Sequence, residues 1–229
     1  MGAEPTTPSQ DERSDAARRA LIGAAIEILA DEGYRRLTFS RIQEVAGLSR
    51  GLVNYHFGTK TALVEGVVRT IRERYLDSAP PDVSRSGLEA VRGMVETYLT
   101  RFTSDPRPAR VMLVLGTDSI GEQGSVTTAV REVYQGLRDD LRACIELGVT
   151  DGSIRPDVDP AAHAVVVEAV IRGIVLQYLV DPAHVDLPTV TTAALKSIDA
   201  LARATPSTSN TTAATRSASV GTATGNSPV

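Results

Sequence analysis

Residues 37–63 read LTFSRIQEVAGLSRGLVNYHFGTKTAL, and their pattern decides the fold. Thr38 and Ser49 are each placed to cap a short helix, and Gly47 interrupts the chain between the two helices. Six apolar residues recur at helical spacing and are expected to pack inward: Ile42, Val45, Ala46, Leu48, Val53 and Phe57. The stretch therefore predicts a helix-turn-helix.

The second helix of such a motif is shaped to enter a DNA major groove, and the distribution of charge agrees with that role. The net charge of the 229-residue chain is −4, which by itself argues against a nucleic-acid-binding protein. Residues 33–60, however, hold five basic side chains and one acidic side chain, a local charge of +4. Chance clustering over a short window is the alternative explanation.

Helix signals continue along the rest of the chain. Ser14 or Asp15 is placed to cap a first helix that Gly33 ends. Further starts are predicted at Thr59, at a Ser86–Glu89 capping box, at Asp105-Pro106, at about Ser125, at Asp159-Pro160 and at Asp186. The helix from Ser125 is expected to end before Gly148. No segment alternates apolar and polar residues over six positions, so the predicted fold class is all-α.

Composition divides the chain into four parts. Residues 1–14 are predicted to be a disordered arm, residues 15–60 a helix-turn-helix head, residues 61–204 a helical body, and residues 205–229 a disordered tail. The tail has twelve Ser or Thr residues among 25 and cannot bury enough apolar surface to fold.

A cytoplasmic location is predicted. The single cysteine, Cys144, excludes an intrachain disulfide, and the first fourteen residues lack the apolar core of a signal peptide. The most apolar stretch, residues 164–180, contains Glu168, Arg172 and Gln177. It is therefore predicted to be a buried helix rather than a membrane span.

One set of residues in the N-terminal part stands at a fixed spacing: Gly33, Tyr34, Thr38, Ile42, Ala46, Gly47, Leu48, Ser49, Gly51, His56, Phe57, Lys60 and Leu63. This set resembles the N-terminal signature of TetR/AcrR-type transcriptional regulators, over about residues 19–67. The remainder is similar in helix count, in length and in the run Gly173…Gln177-Tyr178-Leu179…Asp181-Pro182.

The resemblance implies a homodimeric, ligand-responsive repressor. Three helices would form a head that binds a pseudo-palindromic, double-stranded DNA operator, and a fourth helix would connect it to the body. A small-molecule effector in the body would release the operator. The last two long helices of each protomer would pair across the dimer.

Nine residues are predicted to contact DNA: Thr38, Arg41, Ser49, Arg50, Gly51, Asn54, Tyr55, His56 and Lys60. Arg50 begins the second helix, where its guanidinium can bind the O6 and N7 atoms of a guanine, or else a phosphate. Gly51 allows the helix backbone to approach the DNA closely, although it can also ease packing. Asn54 can bind adenine through its amide.

The other predicted contacts have structural alternatives. Tyr55 and Lys60 resemble phosphate contacts, as do the two capping residues, for which capping alone is the alternative. Arg41 can reach a phosphate or be solvated. For His56, a structural role is expected ahead of direct contact with DNA.

Two residues depart from the family pattern. Gln43 stands where the family usually has a small alanine, at the close approach of the two helices, and Asn54 stands where it usually has tyrosine. These departures support an alternative function, a helical sensor of a small molecule or protein without sequence-specific DNA binding.

The body yields two predicted surfaces. The helix over residues 161–180 is apolar almost all round, which predicts burial on all sides, either in a dimer or inside one large protomer. The predicted dimer interface comprises Val166, Val170, Gly173, Ile174, Ala194, Ile198 and Leu201. Glu168 and Arg172 are expected to pair on the surface of this helix. The predicted effector-binding residues, each also an ordinary core type, are Met94, Tyr98, Phe102, Arg110, Met112, Cys144 and His163.

An enzyme is not expected. The three histidines have no metal-ligand spacing with one another or with Cys144, and no glycine-rich phosphate loop occurs. No metal and no cofactor are therefore predicted.

Overall fold

The structure is a computed structural model that describes residues 9–76 and 84–202. These ranges contain helices and no strand, so the predicted all-α fold is confirmed. The α-helices are α1 (Gln10–Asp31), α2 (Phe39–Ala46), α3 (Arg50–Phe57), α4 (Lys60–Ile71), α5 (Gly87–Ser104), α6 (Arg107–Asp118), α7 (Ser125–Asp151), α8 (Pro160–Val180) and α9 (Leu187–Ala202). A 3-10 turn at Tyr34–Arg36 follows α1, and a π-helical turn at Arg72–Leu76 follows α4.

Helix α1 begins earlier than its predicted start at Ser14 or Asp15. Ser9 is the N-cap: its hydroxyl accepts a hydrogen bond from the Glu12 N–H at 3.1 Å, and its own N–H donates to the Glu12 carboxylate at 2.6 Å. This capping box pairs two of the N–H groups that a helix start leaves open. Residues 10–14 are therefore helical and not part of an arm. Residues 1–8 and the predicted tail lie outside the described residues.

Side-chain caps confirm most of the other predicted helix starts. Thr59 accepts from the Ala62 N–H, Ser86 and Glu89 form the predicted capping box, and Asp159 accepts from the Ala162 N–H. The α6 start differs by one residue. Pro106 is the N-cap rather than the first helical residue, while the Asp105 carboxylate accepts from the Arg107 N–H at 3.2 Å.

Helix α7 is about one turn longer than predicted, because Gly148 lies inside it instead of ending it. A Cβ on Gly148 would lie 2.5 Å from Ile154 Cδ1, and a Cβ on Gly87 of α5 would lie 2.1 Å from the Gly148 nitrogen. Gly87 thus permits the close approach of α5 to α7, and Gly148 makes room for Ile154 beyond the end of α7. The helix ends at Gly152, whose φ of +78° is the left-handed conformation that glycine adopts most easily.

Two hydrophobic clusters hold the helices together. The first lies in the body and joins α5, α7, α8 and α9, with Ala109 of α6 at its edge. The second fills the head between α1, α2, α3 and α4, and it also includes body residues: Val111, Met112 and Leu115 of α6, and Val130 and Val133 of α7. The predicted division after residue 60 therefore cuts through one cluster.

Among the described residues, α8 is the one helix that is long and apolar enough to cross a membrane by length and composition alone. The core helix of a soluble protein passes the same test. Here α8 buries Ala164, Val167, Ile171 and Val175 in the body cluster. One face of α8 is thus core, and the opposite face is open to solvent.

The contact between α5 and α7 predicts that Gly87→Ala is destabilising. The new methyl group would meet Gly148 N at 2.1 Å and Cys144 O at 2.4 Å, and overpacking of this kind lowers the free energy of unfolding by about 1–3 kcal/mol. Gly93→Ala on the same helix has nothing within 4 Å and should not lose stability, because alanine favours helix. Urea unfolding followed by circular dichroism measures both, and equal stability of the two variants would contradict the predicted clash.

Candidate DNA-binding face, effector pocket and dimer face

The helix-turn-helix consists of α2, a three-residue turn and α3. The Thr38 hydroxyl accepts a hydrogen bond from the Arg41 N–H at 3.2 Å and fixes the start of α2. Gly47 ends α2 with a φ of +65°. Ser49 is the N-cap of α3, but its side chain makes no capping hydrogen bond. The predicted inward residues are fully buried (Ile42, Val53) or half-buried against the head cluster (Val45, Ala46, Leu48, Phe57).

The outer face of α3 is the surface that the motif presents. Arg50, Gly51, Asn54 and Tyr55 are all exposed, and their spacing of one and four residues places them on one side of the helix. Tyr55 is 77% exposed. A rigid helix therefore carries a guanidinium, an amide and a phenol side by side, groups that bond to base edges and phosphates.

Arg41 is held by two carboxylates within the head. Its Nη2 donates to Glu32 Oε1 at 2.8 Å, and its Nη1 donates to Glu44 Oε2 at 3.0 Å. The hydrogen bond lowers the pKa of Glu32 and raises the pKa of Arg41. These bonds join the end of α1 to α2, so Arg41 braces the motif rather than presenting a free cation.

The side chains of Lys60 and His56 also point into the head rather than away from it. Lys60 Nζ donates to the Tyr34 carbonyl at 2.7 Å and lies 3.8 Å from the centre of the Tyr34 ring, and burial lowers the pKa of Lys60. His56 Nε2 is buried and has no hydrogen-bond partner among residues 9–76 and 84–202. These positions favour the structural alternative for His56 and an anchoring role for Lys60.

The body contains a pocket bounded by the end of α4, α5, α6, α7 and α8. Three of the seven predicted effector residues line it: Tyr98, Phe102 and Met112. Sequence reasoning missed other lining residues, among them Arg101, Leu137 and Arg172. The pocket combines aromatic and aliphatic walls with charged side chains.

The structure does not bring the other four predicted residues to this pocket. Arg110, two residues before Met112 and so on the opposite face of α6, pairs with Asp31 of α1 at 3.3 Å. Met94 and Cys144 meet in the body core, with their sulfur atoms 3.6 Å apart. His163 lines a second, smaller apolar pocket between α5, α7, α8 and α9.

The predicted pair of Glu168 and Arg172 exists, but the prediction that it lies on the helix surface is wrong. Glu168 is only 4% exposed and binds Arg172 at 2.7 Å and Arg138 of α7 at 2.9 Å. The guanidinium of Arg172 stacks 3.6 Å from the ring centre of Tyr134. The sequence does contain a signal for the burial of this pair, because the Glu and the Arg lie in the middle of an otherwise apolar helix.

The open face of α8 is an apolar strip. It comprises Val165, Val166, Ala169, Gly173, Leu176 and Val180, spaced at three, four and seven residues. Four of these are large and 44–76% exposed. Two predicted interface residues, Val166 and Gly173, belong to this strip, and Val170 lies at its edge, half-buried.

Three predicted interface residues must be corrected. Ile174, Ala194 and Ile198 are only 5–7% exposed because they face the core of their own protomer. The open face of α9 instead carries small and polar side chains at Thr189, Thr192, Ala193 and Lys196. The side chain of Leu201 lies outside the described residues.

A helix-turn-helix head with an exposed recognition face, joined to a helical body with a pocket, defines the class as a DNA-binding regulator. Residues 21–67 match the family model of tetR-family bacterial regulatory proteins, and residues 87–203 match the C-terminal domain of BetI-type transcriptional repressors. The chain belongs to the TetR family of transcriptional regulators, and its C-terminal part is of the transcriptional-repressor type.

Individual relatives agree with this assignment. The chain is 26% identical over 185 residues to the HTH-type transcriptional regulator TtgR of Pseudomonas putida. The matched region covers 77% of this chain and 86% of the relative. A TetR-family regulator from Agrobacterium tumefaciens has a TM-score of 0.72 at 20% identity, covering 83% of this chain and all of that one. A regulator from Saccharomonospora viridis, solved in complex with choline, has a TM-score of 0.70 at 20% identity, covering 81% and 96%. These structures show the shared fold.

The position of Cys144 predicts that its thiol is inert in the folded protein. Burial raises the pKa of Cys144 to about 11, so that only about one thiol in a thousand is ionised at pH 8. Reaction with Ellman's reagent should therefore be at least about a hundredfold slower than for an ordinary exposed thiol, and complete in 6 M guanidinium chloride. Fast labelling of the native protein would contradict this burial.

Proposed function

We propose that the repressor binds its operator as a homodimer, with one α3 helix in each of two successive major grooves. The operator is a pseudo-palindrome whose half-sites lie about 34–36 Å apart, one helical turn of DNA. A small molecule in the body pocket releases it. Head and body remain joined through the second hydrophobic cluster, so we treat them as functional regions rather than as separate folding units.

The observation that carries this proposal is the exposed face of α3. Arg50, at the first turn of α3, is placed to read a guanine, and Asn54, one turn later, to read an adenine. Tyr55, Thr38 and Ser49 are placed to contact phosphates beside them. The side chain of Gln43 is exposed, so it does not obstruct the packing of α2 against α3. One of the two departures that supported a sensor without DNA binding therefore loses its force.

The apolar strip on α8 supports the homodimer. In a monomer it would leave Val165, Val166, Leu176 and Val180 in water, at a cost that burial against a second copy removes. Gly173 at its centre allows two helices to approach closely. The strip runs along the side of α8 opposite the protomer's core, so α8 can pack in that core and against a second copy at the same time. We assign this surface to a protein partner rather than to a membrane.

The proposed site of action is the cytoplasm, where operator DNA lies. The partners are double-stranded DNA, a second copy of this chain and a small-molecule effector. The repressor acts by equilibrium binding, without catalysis and without a cofactor. The effector can shift operator binding only by its difference in affinity between the bound and released states.

Arg50→Ala is predicted to weaken operator binding by about 1–3 kcal/mol and to relax the preference at one base position. Selection from a random pool of duplexes supplies the operator, and fluorescence anisotropy measures affinity over a salt series. Arg142→Ala is the matched control: it removes the same charge from α7, where Arg142 is in ion pairs with Asp139 and Glu146. It should bind as wild type does.

The same selection tests the alternative function. An enriched inverted repeat, with affinity that falls steeply with salt, supports the repressor. If no sequence is enriched and all duplexes bind equally, the protein is a sensor without sequence-specific DNA recognition.

Leu176→Asp is predicted to dissociate the dimer, because a carboxylate in an apolar interface loses its hydration without a partner. The dimer dissociation constant, measured by sedimentation velocity, should rise at least about a hundredfold. Ile120→Asp controls for the loss of an exposed apolar side chain, since Ile120 is 80% exposed outside the strip. A wild-type monomer, or an unchanged dimer in Leu176→Asp, would contradict the assignment.

A further inference from the structure

A charged cluster lies in the body beside the pocket. The Glu168 carboxylate, on α8, accepts hydrogen bonds from Arg172 Nε at 2.8 Å and from Arg138 Nη1 at 2.9 Å. Two guanidinium groups share one buried carboxylate, so the cluster has a net charge of +1. Arg138 is 32% exposed and its charge is partly solvated, whereas Arg172 is 19% exposed and lies in the pocket lining, so an anion that enters the pocket meets Arg172.

Arg172 keeps one donor nitrogen for such an anion. Its Nε and Nη2 both donate to Glu168 Oε1, at 2.8 and 2.7 Å. Its Nη1 donates to no residue in the ranges that the structure describes. The Tyr134 ring, 3.6 Å from the guanidinium carbon, and Glu168 together fix the plane of the group. Arg172 is therefore an oriented cation in the lining of the pocket.

The remaining walls suit an apolar body. Phe102, Met112 and Leu137 provide aromatic and aliphatic surface. Arg101 and Asp105 add one charge of each sign, so the charges of the lining residues that the structure describes sum to +1 with Arg172. The Tyr98 hydroxyl stays protonated, since burial raises the pKa of Tyr98, and it supplies a neutral donor.

We propose that the effector is an apolar organic anion, a monocarboxylate with an aromatic or aliphatic body, and that Arg172 binds its carboxylate. This assignment deepens the proposed function and rests on it for its regulatory meaning. A quaternary ammonium, such as the choline bound by the structural neighbour, would bring a second cation beside Arg172. The pocket of this chain disfavours such a ligand.

Tyr134 connects this binding group to α6. Its hydroxyl donates to the Met112 carbonyl at 2.7 Å, and it fits there because Gly116 has no side chain. A Cβ on Gly116 would lie 2.0 Å from the Tyr134 oxygen. A carboxylate on Arg172 Nη1 therefore binds a guanidinium that stacks on the Tyr134 ring, so a shift of that guanidinium moves the side chain that holds α6. Since α6 packs in the head cluster, the disturbance reaches the DNA-binding face.

The ligand class is tested on the full-length wild-type protein by calorimetry without DNA. The probes are two matched series: 3-phenylpropionate, its amide and phenylpropyltrimethylammonium, and decanoate, its amide and decyltrimethylammonium; choline is added alone. In at least one series the carboxylate should bind at least about tenfold more tightly than the amide, with the ammonium weaker still. Equal or tighter binding of amide or ammonium, or no carboxylate binding in either series, overturns the proposal.

Substitutions test the assigned residue. Arg172→Gln should weaken carboxylate binding about ten- to a hundredfold and leave amide binding unchanged, because one charge-assisted hydrogen bond is lost. Arg172→Lys should recover part of the loss. Arg138→Gln is the matched control, since Arg138 binds the same Glu168 but is absent from the pocket lining. An equal loss in Arg138→Gln would mean that Arg172 acts only through the charge of the cluster and would overturn its direct role.

The connection to α6 is tested by operator binding. The Tyr134→Phe variant should bind the carboxylate as wild type does. The factor by which the ligand lowers operator affinity should, however, be at least about tenfold smaller in the variant than in wild type. Gly116→Ala, which displaces Tyr134, should lower operator affinity without ligand. Gly136→Ala, with nothing within 4 Å of the added methyl group, is its control. Wild-type release in Tyr134→Phe would overturn the connection.

The two proposals fail separately. Selective carboxylate binding by a protein that selects no operator overturns the proposed function and leaves the ligand class standing. Operator binding by a protein that shows no carboxylate preference overturns the ligand class alone.

Discussion

The packing of α6 against α1 joins the two halves of the protein. Val111 and Leu115 are almost fully buried between the helices, and Arg110 adds an ion pair to Asp31 at the end of α1. Met112 lies in the same cluster and also lines the proposed effector pocket. Because a close-packed interior has few alternative arrangements, a displacement of Met112 must be met by a displacement of α1 or α6. The DNA-binding face and the pocket therefore share one structural element, and no long chain of contacts is needed between them.

Local signals predicted the helix-turn-helix almost to the residue, because short-range chemistry determines it. Thr38 caps α2 through its own hydroxyl, Gly47 adopts a left-handed conformation, and the spacing of Ile42 and Val53 places both in the core. The end of α7 was predicted wrongly because a longer-range contact decided the outcome. Gly148 has the sequence signal of a helix end, but its missing side chain makes room for Ile154. A glycine that ends a helix and a glycine that admits a neighbour look the same in one sequence.

The lining of the body pocket was only partly predicted from the sequence for a similar reason. The stripe of Tyr98 and Phe102 on α5 marks one wall, since helical spacing shows which residues share a face. Periodicity does not show which helix will pack against that wall. The contacts among Arg172, Tyr134 and Met112, which come from three helices, could therefore not be predicted. The proposed dimer face shows the same limit. The all-apolar character of α8 predicted two buried sides, but only the packed protomer shows that Ile174 faces inward and Val166 outward.

The shared cluster of head and α6 also governs how the protein unfolds. The residues that hold α1 and α4 in place include Val111, Met112 and Leu115 of α6 and Val130 and Val133 of α7, which lie 40 to 62 residues beyond the end of α4. A fragment cut after α4 would expose the apolar side chains that these residues cover, and it would lose part of its core. The DNA-binding region is thus not an autonomous folding unit. Head and body should melt in a single cooperative transition, and the recognition helix is only as well ordered as the body behind it.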